Sequence, residues 1–333
     1  MNRFSYARAT GVEQAIDQHR STAAAAFVAG GTNLVDLIKE NVARPTLLVD
    51  ITRLPLKDIE ATPAGGIKIG ALVTNSTVAY DDVIAQRYPL LAKAILAGAS
   101  AQIRNVATVG GNLLQRTRCH YFYDTGTPCN KREPGTGCPA LEGVNRIHAI
   151  LGTSDQCIAV HPSDMCVALA ALNAIVHLAG KDGTRVLPFS NFHRLPGDTP
   201  QIDTNLHADE IVTAVELPPP GFAECHAYLK IRDRASYAFA LVSVALGLRL
   251  EGETIHEVSC ALGGVAHKPW RDVEAEAWLR EKQLTGDAVR AFADMLVREA
   301  HGRRGNAFKI ELTTRAVVRA FEIATRRRFT EVA

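Results

Sequence analysis

The sequence predicts an α+β protein built from two or three compact units, and three observations predict it. A strand-like apolar run at 24–29 passes into paired glycines and then into helix-like spacing. The tract Pro218-Pro219-Pro220-Gly221 breaks the chain where a strand has just ended. Residues 222–333 then read as a run of strands followed by a run of helices, the order of an α+β unit and not of an alternating α/β one. With 333 residues, 47% hydrophobic and 22% charged, the chain can fill more than one core.

Taken in order, Thr10 with Glu13 suits a capping box opening a helix to about Gln18. Residues 24–29 form a strand, Gly30-Gly31-Thr32-Asn33 a turn, 34–38 a short helix and 47–51 the next strand, closing a βαβ unit near residue 55. A second unit starts with a strand at 66–71, continues through a helix at 89–99 and reaches Thr108-Val109-Gly110-Gly111-Asn112. Periodicity then dissolves over 115–160, too long for an ordinary connection, so this loop is functional or disordered, and its cysteines argue for function. Ser163 caps a helix to about Leu172; a strand at 175–178 enters a hairpin turn at Lys181-Asp182-Gly183-Thr184. A strand at 211–217 stops at the prolines, which cannot donate to a ladder, so the main boundary falls there. Strands at 226–231, 239–250 and 255–263 precede helices at 271–281, 285–300 and 309–327. The domains expected are 1–221, with subdomains of about 1–55 and 56–221 and the loop at 115–160, and 222–333.

The net charge of +2 arises from 37 basic and 35 acidic residues, so no broad positive field invites nucleic acid. Arg326-Arg327-Arg328 stands where cations oppose the negative end of a helix dipole. The first residues lack the apolar core of a secretory signal, and no run approaches the ~18 apolar residues that span a bilayer. Seven cysteines cannot all pair, which points to assembly in a reducing compartment.

Ala29-Gly30-Gly31-Thr32-Asn33-Leu34 and Thr108-Val109-Gly110-Gly111-Asn112-Leu113 share a design. Paired glycines let backbone N–H groups approach an anion, and two such turns could clamp one pyrophosphate. Neither matches the Rossmann or Walker pattern. Cys119, Cys129, Cys138 and Cys157 lie in the irregular loop, and their spacing leaves an iron–sulfur cluster, zinc and free thiols open. Arg116, Arg118, Lys131 and Arg132 could offset a cluster's charge, and Tyr121, Phe122 and Tyr123 could shield it. His120, His148 and His161 are alternative ligands; Cys166, Cys225 and Cys260 read as core.

AGGTNL, TVGGNL, QRTRC, YFYDTGTPCNK, GC, HPSD, RDRASYAFALVSVA and ALGGVAHKPWR together resemble the FAD-binding subunit of the xanthine oxidase family of molybdenum hydroxylases. The cysteine loop is similar to that of bacterial periplasmic aldehyde oxidoreductases, and 4-hydroxybenzoyl-CoA reductase carries a comparable insertion. The resemblance implies a two-subdomain FAD-binding domain of the vanillyl-alcohol oxidase (PCMH) type, then an α+β domain like that of carbon monoxide dehydrogenase flavoproteins. It implies that Ala29, Gly30, Gly31, Thr32, Asn33 and Leu34, with Thr108, Gly111 and Asn112, hold the FAD pyrophosphate and its flanks. Asp164 would meet the ribityl hydroxyls, Ile211 or Val212 the flavin ring, and Lys230 the ring's pyrimidine edge, although a lysine on an edge strand otherwise reads as solvated. Arg232 and Tyr237 would shape one face of the flavin. Cys119, Cys129, Cys138 and Cys157 would bind a [4Fe-4S] cluster. The implied partners are a molybdenum-cofactor large subunit, a [2Fe-2S] small subunit and an external electron acceptor, with no nucleic acid and no membrane span. The implied location is the periplasm, reached with a signal-bearing partner, or the cytoplasm.

Overall fold

A computed structural model describes residues 2–329 and contains three sheets. The first is parallel, in the order β1-β3-β2, from β1 (Ser5–Arg8), β2 (Ala25–Val28) and β3 (Leu47–Asp50). α1 (Val12–Arg20) and α2 (Leu34–Lys39) connect them, so the expected βαβ unit is present. β1 escaped the sequence reading because Ser-Tyr-Ala-Arg has no apolar alternation; pairing with Leu47–Asp50 makes it a strand. The expected capping box is absent. Gly11 is the N-cap, and Gln14, one residue beyond Glu13, accepts from both N–H and hydroxyl of Thr10.

The second sheet is antiparallel, in the order β4-β5-β8-β6-β7: β4 (Ile59–Ala61), β5 (Ile67–Gly70), β6 (Ile175–Gly180), β7 (Gly183–Pro188) and β8 (Ile211–Leu217). Between β5 and β6 run α3 (Asn75–Tyr80), α4 (Asp82–Arg87), α5 (Pro89–Ala97), α6 (Ala101–Arg104), α7 (Val109–Leu113), α8 (His120–Tyr123) and α9 (Asp164–Ala171). Of these only α5 and α9 are long enough to display periodicity. The others are short; α3, for example, ends at Asp81, which caps α4. After Asp164, α9 is apolar all round because every residue in it is buried, against α5 and the third sheet.

Past Leu217 the chain enters the third sheet, antiparallel in the order β12-β11-β10-β9: β9 (Cys225–Ile231), β10 (Val242–Glu251), β11 (Thr254–Gly263) and β12 (Trp270–Arg271). α10 (Val273–Leu279), α11 (Gly286–Leu296) and α12 (Phe308–Thr325) complete its core, with Val289, Phe292, Val317 and Phe321 fully buried. α12 stops two residues earlier than the sequence suggests, because Arg326 takes a left-handed φ of 56°. Beyond it Arg327 pairs with Glu253, so that cation is engaged by a carboxylate as well as by the helix end.

The irregular loop is ordered by being stitched to this third unit. Ile150 and Leu151 N–H groups donate to Val265 O at 2.9 and 3.0 Å, and His161 N–H to Ala266 O at 3.0 Å. Ile150 and Leu151 are themselves buried in the third core. Among the described residues no helix is long and apolar enough to cross a membrane.

Candidate functional site

Two cavities meet at the glycine motifs, and Thr32, Asn33 and Gly111 line both. The larger, ≈ 550 Å³, extends toward Asp164 and Lys230; the smaller, ≈ 290 Å³, toward Phe27, Ile51, Ile211 and Val212.

The motifs look alike in sequence but fold differently. The first is a turn at the end of β2, where Gly31 has φ +69°, which a side chain resists. A Cβ on Gly30 would stand 2.0 Å from Val106 O, so this glycine lets the turn pack on the backbone just before the second motif. That second motif is no turn. Thr108 caps α7, its hydroxyl accepting from Gly111 N–H at 3.3 Å, and the glycines form the helix's first turns. The amide oxygens of the two asparagines are held by protein, which leaves their Nδ2 groups as donors. Asn33 Oδ1 accepts from Arg116 N–H at 2.8 Å, and Asn112 Oδ1 accepts from the Ser163 hydroxyl at 2.6 Å. Among the described residues, the backbone N–H groups of Gly30, Gly31, Thr32 and Asn33 donate to nothing. Four such donors at one turn fit a phosphate group.

At the far end of the larger cavity, Asp164 opens α9 behind the Ser163 cap. Its Oδ2 accepts from Lys230 Nζ at 2.8 Å and its Oδ1 from the Tyr228 hydroxyl at 2.6 Å; Lys230 also donates to Ala97 O at 3.1 Å. The Lys230 and Asp164 side chains are only 5% and 8% exposed, so the solvated-lysine reading is corrected: β9 is an edge strand, but α5 covers this residue. Burial beside Asp164 raises the Tyr228 hydroxyl well above its ordinary value, keeping it a donor. Tyr228 went unnoticed in the sequence. Its signal was the two-residue spacing to Lys230, which puts both side chains on one face of a strand. Ile211 and Val212 line the smaller cavity and Lys230 the larger. Tyr237, 57% exposed with φ 51°, and Phe239 line the larger cavity, while Arg232 donates to Ala97 O at 3.3 Å.

His161 and His193 both place Nε2 against Leu113 O, at 3.3 and 2.8 Å, and so brace the end of α7. Burial lowers both imidazoles, His193 to about 4. With Cys166 they offer ligand atoms within 4.8 Å of one another, but both rings are already engaged on that carbonyl.

The four loop cysteines line one cavity of only ≈ 10 Å³. Phe122 packs against Cys119, Cys129 and Cys157 and closes it. Among the described residues, no three of these sulfurs lie within 4.8 Å of one another, whereas sulfurs around one zinc ion stand about 3.8 Å apart. Cys157 donates to Cys138, holding that thiol down at about 6, while burial pushes Cys119 up to about 11. The charges sit otherwise than expected. Lys131 and Arg116 both pair with Asp203, whose carboxyl they hold low against the effect of burial, and Arg132 donates to Tyr121 O and Phe122 O at 2.9 and 2.8 Å. His148 Nε2 lies 3.1 Å from Cys119 Sγ, and burial beside His120 and Lys309 lowers that imidazole to about 4. Arg118 and His120, on either side of Cys119, line the larger cavity, so the two sites are separated by little more than the Cys119 backbone.

This arrangement belongs to a known class. Residues 2–220 match the FAD-binding domain in molybdopterin dehydrogenase and residues 227–324 the C-terminal domain of carbon monoxide dehydrogenase flavoproteins. The chain belongs to that family: it is the FAD-binding medium subunit of a xanthine oxidase-family oxidoreductase. It is 48% identical over 318 residues to the aldehyde oxidoreductase FAD-binding subunit PaoB of Escherichia coli (strain K12), covering 95% of this chain and 96% of that one. It is 28% identical to the glyceraldehyde dehydrogenase medium chain of Sulfolobus acidocaldarius, over 87% of this chain and 85% of that one. Among solved structures, carbon monoxide dehydrogenase from Hydrogenophaga pseudoflava superposes with a TM-score of 0.77 at 26% identity, covering 98% of this chain and 99% of that one.

Proposed function

We propose that this chain is the FAD- and [4Fe-4S]-containing electron-transfer subunit of a molybdenum-dependent aldehyde oxidoreductase. In this reading it receives electrons from the [2Fe-2S] clusters of a small subunit, after oxidation of an aldehyde on a molybdenum-bearing large subunit, and passes them to an external acceptor. The observation carrying it is the convergence of Cys119, Cys129, Cys138 and Cys157 on one closed cavity beside the larger one. Near-half identity to an aldehyde oxidoreductase subunit supports the aldehyde.

The pyrophosphate takes the free N–H groups of residues 30–33, where the cavities meet. The ribityl chain and ring lie toward Asp164 and Lys230, and the adenosine against the apolar wall of Ile211 and Val212. Bound there, FAD supplies two-electron redox chemistry. Lys230 offers an ammonium that favours negative charge at the ring's pyrimidine edge, and Tyr228 holds Asp164 in place to accept from hydroxyls. Tyr237 and Phe239 restrict the mouth through which an acceptor approaches. Export together with a signal-bearing partner would place the assembly in the periplasm.

Flavin absorbance with about four irons per chain is the expected composition of the purified complex. Cys129→Ser should remove the iron signal while FAD stays bound; stoichiometric zinc without flavin would overturn the reading.

A further inference from the structure

The cluster reading leaves one group unused. His148 sits in the irregular loop 1% exposed, with Nε2 3.1 Å from Cys119 Sγ and Nδ1 buried without any partner. A neutral imidazole carries one proton, which goes to the nitrogen that has an acceptor. Here that nitrogen is Nε2, because an iron-bound cysteine sulfur has no proton of its own and accepts only.

The ring's position is set from a distance. His148 O accepts from Lys309 Nζ at 2.8 Å and from Asn306 Nδ2 at 3.3 Å, and both of those residues are fully buried. Lys309 Nζ also donates to Gly264 O, tying the start of α12 to the end of β11. His148 N–H donates to Asn145 O at 2.9 Å, while Asn145 Oδ1 accepts from Gly305 N–H at 3.0 Å. Among the described residues Lys309 has no carboxylate partner, a costly arrangement for a buried ammonium, and its contacts are the backbone carbonyls of His148 and Gly264. On the other side, the His148 ring meets His120 edge-on at 5.7 Å, and His120 lines the larger cavity.

We propose that His148 is a positioning residue of the iron–sulfur cluster, donating Nε2–H to the Cys119 sulfur and held there by Lys309 and Asn306. The inference rests on the assignment of the four cysteines to a cluster. A hydrogen bond to a ligating sulfur withdraws charge from it and so stabilises the reduced, more negative cluster, raising its potential. The third unit thereby acts on the cluster through one imidazole, without contributing a ligand.

The test uses the whole purified complex, with iron and flavin counted before any potential is measured. If wild-type protein holds no iron, the cluster assignment fails, independently of His148. Given iron, redox titration followed by electron paramagnetic resonance should show a more negative cluster potential in His148→Leu than in wild type. In His148→Gln, whose amide supplies a donor at a similar reach, the potential should return toward the wild-type value with iron and FAD contents unchanged. Reduced wild-type cluster should also show an exchangeable deuteron near a cysteine sulfur by electron–nuclear double resonance, and His148→Leu should lack it. Loss of iron in His148→Leu with retention in His148→Gln would support the donor role equally. Unchanged potentials in both variants, or iron lost from both alike, would overturn it.

Discussion

The larger cavity and the cysteine cavity adjoin, yet they are built in opposite ways. The larger is ≈ 550 Å³, lined mostly by helices and loops, and offers backbone N–H groups, one buried ion pair and an open mouth. The cysteine cavity is ≈ 10 Å³, comes almost wholly from one irregular segment, and offers sulfur. A large dinucleotide needs a preformed groove with fixed donors, because it is held by many weak contacts. A metal centre such as the one proposed for the cysteines would supply strong bonds itself, so its loop would need only to bring ligands near and exclude water. Damage to the first should therefore propagate through packing, whereas damage to the second should remain with its ligands.

The largest effect that sharpens this contrast is expected from Gly30→Ala. Its Cβ would clash with the backbone Val106 O at 2.0 Å, an atom that cannot swing aside, so the two motifs must separate. FAD content should fall to near zero with iron largely retained; normal flavin content in the variant would break the comparison. Next comes Lys230→Met, which leaves the Asp164 carboxylate buried with only Tyr228 as partner. Loss of one partner of a buried pair costs about 3–5 kcal/mol, readable as a lower midpoint in chemical denaturation and weaker flavin retention. The cysteine cavity should not respond.

Acid should act on the larger cavity through His193. The folded state holds His193 at about 4, below the unfolded value near 6.5, so between those limits the unfolded chain binds more protons. Stability is thus fully present above about pH 6.5 and is lost as pH falls through about 4, on the order of 3 kcal/mol for this group. Because His193 braces Leu113 O, flavin release should follow the same pH window, and His193→Gln should flatten the stability curve there. The smallest effect expected is for Ser163→Ala. It removes the cap of α9 and the bond to Asn112, about 1–2 kcal/mol in thermal unfolding, with a modest loss of flavin affinity.

Much of this architecture was legible because local rules agreed with tertiary ones. The strand–Gly-Gly–helix passage at residues 25–39 and the Ser163 cap of α9 folded as read. Short capped helices such as α3 and α4 were missed because six residues show no periodicity, and β1 because its partner strand makes it a strand. The polar side chains of the glycine motifs were assigned to phosphate since their chemistry suits it. Which way the Asn33 and Asn112 amides face is set by neighbours distant in sequence, Arg116 N–H and the Ser163 hydroxyl, which donate to their Oδ1 atoms.

By itself the sequence determined which residues could do chemistry: glycines where backbone must approach an anion or another backbone, and four thiols in a segment with no regular structure of its own. Those are properties of residue type and local spacing. Only the tertiary structure decided that the four thiols share one cavity, that Lys230 is buried against Asp164 rather than solvated, that Ile211 and Val212 stand on the other side of the glycine motifs, and that His148 points at Cys119. Each of these depends on contacts between residues far apart in the chain, and burial and hydrogen-bond partnership are not encoded in any short window of sequence.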